Sequence, residues 1–488
     1  MTATPRAQIA QPTPPSSAAR ATNPRPIIAL LLIAAFVMIL NETIMGVALP
    51  HLMRDFAIDA GTAQWLATGF MLTMAVVIPT SGFLLNRFPL RGLAITAIAV
   101  FTAGTLLAAL APSFAVLLMA RVLQAVGTAI MTPLLSTTIL NVVSAEKRGR
   151  TMGGIAIVMA AAPAIGPTVS GLILNNLSWR WMFWFVFPVA AATLIAAIFT
   201  MRNLTERRPA SLDILSTVLS ALGFAGLIYG ISSLGEEATG HAGVSPLVPL
   251  GVGVISLGLF IWRQLVLQRT DSALLDLRTF TNRSFTIAVI LVFFSMLALF
   301  GALIVLPLFV QNVLGLTALQ TGLMMLPGGL IMGIFAPVSG ALSDRFGPRW
   351  IVLFGTVVSS LALWLFSGTV GAGTESWHIV LLLMLLNAGL GFTLTPLLSS
   401  ALGSLRPSLY AHGSATVNTL QQVAGATGTA LFITLMTNET TRHLTSGENP
   451  LLAGAAGAHA AFTGGAILSL LAIVLALFIR NPHKEEAQ

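Results

Sequence analysis

Fourteen apolar stretches, each about as long as a bilayer demands, leave this 488-residue chain almost no choice of architecture. A hydrocarbon core ~30 Å thick needs a helix of roughly 20 residues. Runs of that kind are read near residues 27–49, 63–85, 93–111, 115–141, 152–174, 182–201, 212–234, 246–267, 285–312, 321–342, 351–371, 378–402, 410–436 and 459–479. Transmembrane β-barrels show alternating segments of roughly ten residues instead. The fold expected is therefore all-α and polytopic with 14 transmembrane helices, and a composition 56% hydrophobic and 8% charged, with mean hydropathy +0.90, excludes a soluble domain.

The net charge of +8 suggests nucleic acid until the basic residues are placed. With both termini in the cytoplasm, 20 of the 24 Lys and Arg fall in or beside the tails and loops on that side; Arg54, Arg180 and Arg442 fall outside, and Arg121 lies within a span. That bias is the positive-inside rule, so the charge reports topology in a plasma (bacterial cytoplasmic) membrane and implies no nucleic-acid partner. Residues 1–26, rich in Pro, Ala, Ser and Thr, read as a disordered cytoplasmic tail. Residues 481–488 form a second cytoplasmic tail, and no cleavable signal is expected. The absence of cysteine excludes disulfides, Fe–S clusters and thiolate zinc sites, and no metal or other cofactor is expected.

Among the sixteen acidic residues only Glu42 sits well inside an apolar run. A charge at membrane depth costs roughly 2.5–3.5 kcal/mol by insertion scales, which makes such a group a functional candidate whose partner must be sought. The chain also repeats itself: Gly82-Phe-Leu-Leu-Asn86-Arg87-Phe88 returns as Gly340-Ala-Leu-Ser-Asp344-Arg345-Phe346, 258 residues on, and Ala48-Leu49-Pro50 as Val305-Leu306-Pro307. Internal similarity on that scale is a signature of transporters, whose substrate sites lie between two halves near the midplane. The expected organisation is a six-helix bundle over 27–201, a linker with an inserted helix pair over 202–284, and a second six-helix bundle over 285–480.

These residues carry a resemblance. Gly340-x-Leu342-x-Asp344-Arg345-x-Gly347-x-Arg349 resembles the loop motif of the major facilitator superfamily; in the first half Asn86 replaces the acid and Pro89 the second glycine. Arg121-x-x-Gln124-x-x-Gly127 resembles the fourth-helix motif, and Gly166-Pro167 with Gly171 the Gly-Pro element associated with antiporters. Trp179-Arg180-Trp181 and Asn41-Glu42-Thr43 are similar to the 14-span drug:proton antiporter branch, where the acid often stands at the place of Asn41. The resemblance covers residues 27–480 and implies a multidrug exporter working by alternating access.

Counting 1.5 Å per residue, Glu42 lies roughly 10 Å and Arg121 roughly 9 Å below the same surface. Their approach and separation would swing proton affinity, so this pair is the expected coupling site. The repeat places Leu299 and Phe300 opposite Glu42, which confines coupling to the first half and predicts a single proton per cycle. Asn418, Gln421 and Gln422 share one helical face. They read either as cavity lining or as interhelical hydrogen bonding. Asn41, Gln124, Gln311 and Asn387 are further cavity candidates, with Gln124 also placed to extend the Arg121 network. Asn86, Arg87, Asp344, Arg345 and Arg349 read as a cytoplasmic latch or as turn caps, and Gly166 and Pro167 as a helix bend or a packing element.

Only two lysines exist, Lys147 and Lys484, and neither stands in a Gly-Lys-(Ser/Thr) loop, so ATP is not the expected power source. No histidine pairs with an acid at catalytic spacing, which argues against an enzyme, and no charged ring suggests a channel. The function expected is proton-coupled antiport that exports lipophilic, chiefly cationic, compounds, with lipids and protons as the other partners. Export of one natural metabolite or lipid is the alternative, and uptake by symport comes after it.

Overall fold

Each apolar stretch satisfies its own backbone by coiling into a helix, because hydrocarbon offers no hydrogen-bond partner. The computed structural model describes residues 25–142, 162, 165–202, 213–238, 245–270, 273–406 and 409–479. Most of both expected tails and the first part of the fifth span lie outside these residues. Helices α1 (Arg25–Thr43) and α2 (Met45–Phe56) make one interrupted rod, followed by the short α3 (Ala60–Ala63) and by α4 (Trp65–Arg87), α5 (Leu90–Ala109) and α6 (Phe114–Val142). A helical segment over 165–176 precedes α7 (Arg180–Thr200), and α8 (Ile214–Ala238) and α9 (Leu247–Leu267) form the inserted pair. The second half comprises α10 (Arg283–Asn312), α11 (Ala318–Phe346), α12 (Pro348–Thr369), α13 (Ser376–Gly403), α14 (Tyr410–Thr445) and α15 (Pro450–Ala476). No strand occurs among the described residues.

Twelve helices among the described residues are long and apolar enough to cross a membrane, against the fourteen spans expected. The two missing from the count have different causes. The fifth span is described only from residue 165, and α14, although 36 residues long, carries so many amides and threonines that its apolarity falls short.

The packing order of the first half recurs in the second. Helix α6 packs against α1, α4 and α5, and α7 against α1 and α5; likewise α13 packs against α10, α11 and α12, and α15 against α10 and α12. The repeated loop shows how a motif can differ at one position and still turn. Gly347 joins α11 to α12 at φ 82°, a conformation that favours glycine. Between α4 and α5 the turn runs instead through extended Phe88 and Pro89, so no glycine is needed there.

The inserted pair packs on itself through glycines, with Gly226 against Gly253, and α8 rests on α4 and α14 together. Met71, Ile228, Ala426 and Ala430 form one cluster there and Ala75, Phe224 and Val423 another. At its end nearer α10 the pair is tied by a polar knot. Arg263 donates to both oxygens of Asp213 at 2.7 and 2.8 Å, and Gln264 donates to Ser216 while accepting from the backbone N–H groups of Leu274 and Leu275.

Candidate functional site

Arg121 is completely buried, and its position follows from close helix packing. Gly104 and Gly127 let α5 and α6 touch: a Cβ on Gly104 would lie 2.9 Å from the Ala120 carbonyl and one on Gly127 2.8 Å from Phe101 Cβ. With the helices that near, Gln124 donates to Thr105 Oγ1 at 3.1 Å and its carbonyl accepts from Arg121 Nη1 at 3.0 Å. The guanidinium then reaches across to main-chain oxygens, giving Nε–H to Leu66 O at 3.2 Å and Nη1–H to Asn41 O at 3.3 Å, with its Cζ 4.2 Å from the centre of the Phe70 ring. Burying a charge is costly unless it is hydrogen-bonded, and Nε and Nη1 meet that need here. One amine, Nη2, has no protein partner, nor has either side-chain atom of the wholly buried Asn41.

The expected ion pair between Glu42 and Arg121 is not formed in this structure. Arg121 sits level with span one at residue 41, as the depth count requires, but its Nε and Nη1 donors go to the carbonyls of Leu66, Asn41 and Gln124, and no salt bridge within 4.0 Å joins it to Glu42. Glu42 is partly exposed, and it shares its helical face with the buried Leu31, Ala35 and Met38, opposite the outward stripe of Ala29, Ile33, Phe36 and Leu40. Its carboxylate therefore faces protein interior and not the lipid side of α1.

The Gly-Pro element lies directly against this group. A Cβ on Gly166 would overlap the Thr43 hydroxyl and come within 3.0 Å of Thr43 Cβ, so only glycine lets the 165–176 segment press on the residue after Glu42. One residue on, the same segment meets the other half: the Pro167 carbonyl abuts Gly322, Thr168 Oγ1 donates to Gly322 O at 3.0 Å, and Gly171 abuts Ala318 of α11.

The remaining expected residues divide. Asn418, Gln421 and Gln422 are all partly exposed on α14, with Gln422 Oε1 unpaired and Asn418 making only a 3.5 Å contact to Ser414. Gln124 is consumed by the Arg121 network, which leaves it no free amide for a cavity. Gln311 donates to Val47 O at 3.1 Å, a bond between the halves, and Asn387 donates to Leu383 O of its own helix at 2.9 Å beside Gly328. Both are buried, and each gives an amide N–H to a main-chain carbonyl. Of the latch residues, Arg87, Arg345 and Arg349 are exposed, with Arg345 and Arg349 stacked on Phe346 and Trp350; the side chains of Asn86 and Asp344 lie outside the described residues. Trp179 donates to Asp55 at 2.8 Å and Arg180 to Ala111 O at 3.0 Å, so the Trp-Arg-Trp segment ties together the ends of α2, α5 and α7. Leu66, Phe70, Thr105 and Gly322 were not singled out in the sequence, and Thr43 only as part of the Asn41-Glu42-Thr43 motif. Carbonyl acceptors and ring faces leave no mark on residue type, and only the glycine of Gly322 offered a signal.

A membrane-spanning helical fold whose two halves share one packing order and meet along a seam is the architecture of a transporter. Residues 31–429 match the Major Facilitator Superfamily profile, and the chain belongs to that family. It is a transporter and not an enzyme. It is similar to the lincomycin resistance protein LmrB of Listeria innocua (42% identical, covering 94% of this chain and 97% of that one) and to LmrB of Bacillus subtilis (37%, covering 93% and 96%). It is also 31% identical to the multidrug resistance protein B homolog of Mycobacterium tuberculosis, over 81% of this chain and 73% of that one. In fold it resembles a bacterial homolog of the human lysosomal transporter Spinster, TM-score 0.66 at 14% identity over 94% of this chain and 98% of that chain. A D-xylose-proton symporter aligns with TM-score 0.65 at 13% identity, over 95% and 99%.

Proposed function

We propose that this transporter is a proton-driven antiporter that exports lipophilic drugs, lincosamides and lipophilic cations among them, from the cytoplasm. The observation that carries the reading is Glu42: an acid inside the bundle, without a hydrogen-bond or ion-pair partner among the described residues, one residue from the carbonyl that anchors Arg121 and one from the threonine against Gly166. Protonation there changes the charge beside a fixed guanidinium, next to the segment that meets the other half at Gly322 and Ala318. Its relatives' names support drug export. The twelve apolar helices, the amide-rich α14 and the partly described fifth span together support fourteen spans in two lobes with both termini cytoplasmic. With that orientation the contacts at Val47–Gln311, Thr168–Gly322 and Gly171–Ala318 close the outer side. The face of Asn418, Gln421 and Gln422 offers substrate its hydrogen bonds.

The test is efflux of a cationic dye and of lincomycin from energised vesicles, with and without a pH gradient, for wild type and Glu42→Gln. Loss of gradient-driven export with retained substrate binding is expected. Unchanged export by Glu42→Gln removes the coupling assignment, and gradient-independent export by wild type removes proton drive.

A further inference from the structure

Away from the Glu42 site, a cleft of about 880 Å³ opens between the 276–282 segment that leads into α10 and the turn joining α13 to α14. Its charged lining is Asp276, Arg278, Arg406 and His412, with Leu405 and Leu409 supplying apolar wall. Asp276 is almost wholly buried, its carboxylate bound by the backbone N–H of Arg278 at 2.9 Å and by the Arg278 guanidinium, so its charge is matched inside the wall. Asn282 and Ser404 are likewise engaged: Asn282 Nδ2 donates to Ser404 O at 2.7 Å and its Oδ1 accepts from Phe285 N, while Ser404 Oγ donates to Ala401 O. Arg406 is exposed, its carbonyl accepts from Leu409 N at 2.9 Å, and its guanidinium makes no hydrogen bond or ion pair among the described residues. What the cleft presents to a ligand is thus a cationic arginine beside His412, over leucine. Its depth relative to the membrane follows from the helices: α10 begins at Arg283 and α13 ends at Gly403, so the cleft lies where apolar helices end and lipid head groups begin.

We propose that this cleft binds the phosphate head group of an anionic membrane lipid, with Arg406 and His412 as the recognising residues and the two leucines meeting the start of the acyl chains. An exposed guanidinium at head-group depth is the geometry that phosphate prefers. A bound head group would bridge the 276–282 segment and the 404–412 turn. Through Leu274 and Leu275, held by Gln264, it would fix the inserted pair to the second half.

The test uses the full-length transporter in detergent and in nanodiscs of phosphatidylcholine with or without phosphatidylglycerol. Expected is retention of phosphatidylglycerol by native mass spectrometry and a higher melting temperature in its presence, both weakened roughly tenfold or more in Arg406→Gln and in His412→Gln and kept in Arg406→Lys. Arg442→Gln, at the opposite end of α14, should behave as wild type. Equal retention by Arg406→Gln, or equal loss in Arg442→Gln, overturns the assignment. Inorganic phosphate or glycerol phosphate protecting the detergent-solubilised protein as well as the lipid does would overturn the lipid and leave a small-anion site. Size-exclusion profiles of Arg406→Gln and Arg406→Lys separate lost binding from lost folding.

Discussion

Gly166→Ala should impair transport through one contact, and a second substitution should repair it. An alanine Cβ would stand 3.0 Å from Thr43 Cβ and overlap the Thr43 hydroxyl, whereas carbon atoms settle at about 3.5–4.0 Å. The 165–176 segment must therefore retreat from α1 by about 0.5–1 Å. Such overpacking costs about 1–3 kcal/mol, offset by about 1 kcal/mol of helix propensity gained on replacing glycine. The net loss of about 0–2 kcal/mol falls on the closed seam, because the same segment carries the Pro167 and Thr168 contacts to Gly322. Since 1.4 kcal/mol is a factor of ten, efflux should fall by up to about thirtyfold. Thr43→Ala removes the hydroxyl, at the loss of its bond to Leu40 O, and leaves only the Cβ contact. Dye efflux and melting temperature measured for wild type, both single variants and the double variant form a cycle whose coupling should be about 1–2 kcal/mol, the double recovering most of the activity. Additive losses would refute the reasoning, since they would show that Gly166 acts by backbone freedom and not by contact with Thr43.

Other outcomes follow from the same geometry. Arg121→Lys should lower stability by about 2–3 kcal/mol in thermal unfolding, because one ammonium cannot serve the Leu66, Asn41 and Gln124 acceptors together; wild-type melting would contradict the network. Gly347→Ala should cost about 1–3 kcal/mol for its positive φ, while Gly258→Ala, in open space inside α9, should stabilise by up to about 1 kcal/mol, and equal melting of the two variants would count against strain at the α11–α12 turn. His443, bonded to Glu448 at 2.8 Å and Glu439 at 3.1 Å, is held more basic than usual, first by the Glu448 bond. A raised folded value means the contribution is complete below the ordinary histidine value and is lost as pH rises through the raised one. His443→Gln should thus lower the melting temperature at pH ~6 and not at pH ~9, the free imidazole titrating near 6.5; a deficit equal at both values would mean that the charge is not involved.

The helices were legible because hydropathy is a property of residue type, and the repeat could be read because its loop carries charged and glycine markers. Helix α14 falls short of a strict apolarity count because its amides and threonines dilute the very signal that marks a span. Arg121 and Glu42 were placed at one level by counting residues, yet their missing ion pair was not foreseeable, since it turns on carbonyls of Asn41 and Leu66 that every residue possesses. The bonds of Gln311 to Val47 O and of Asn387 to Leu383 O could not be read either, because a buried amide bonded to a carbonyl and one awaiting a ligand look alike in sequence.

An anchor set on main-chain oxygens is indifferent to side-chain identity. Arg121 grips residue 41 by its carbonyl, so replacement of that side chain leaves the grip intact and an acid can migrate one step along the helix, from place 41 to place 42, with the cation unmoved. The guanidinium is thereby a fixed landmark against which the ionisable group was free to drift.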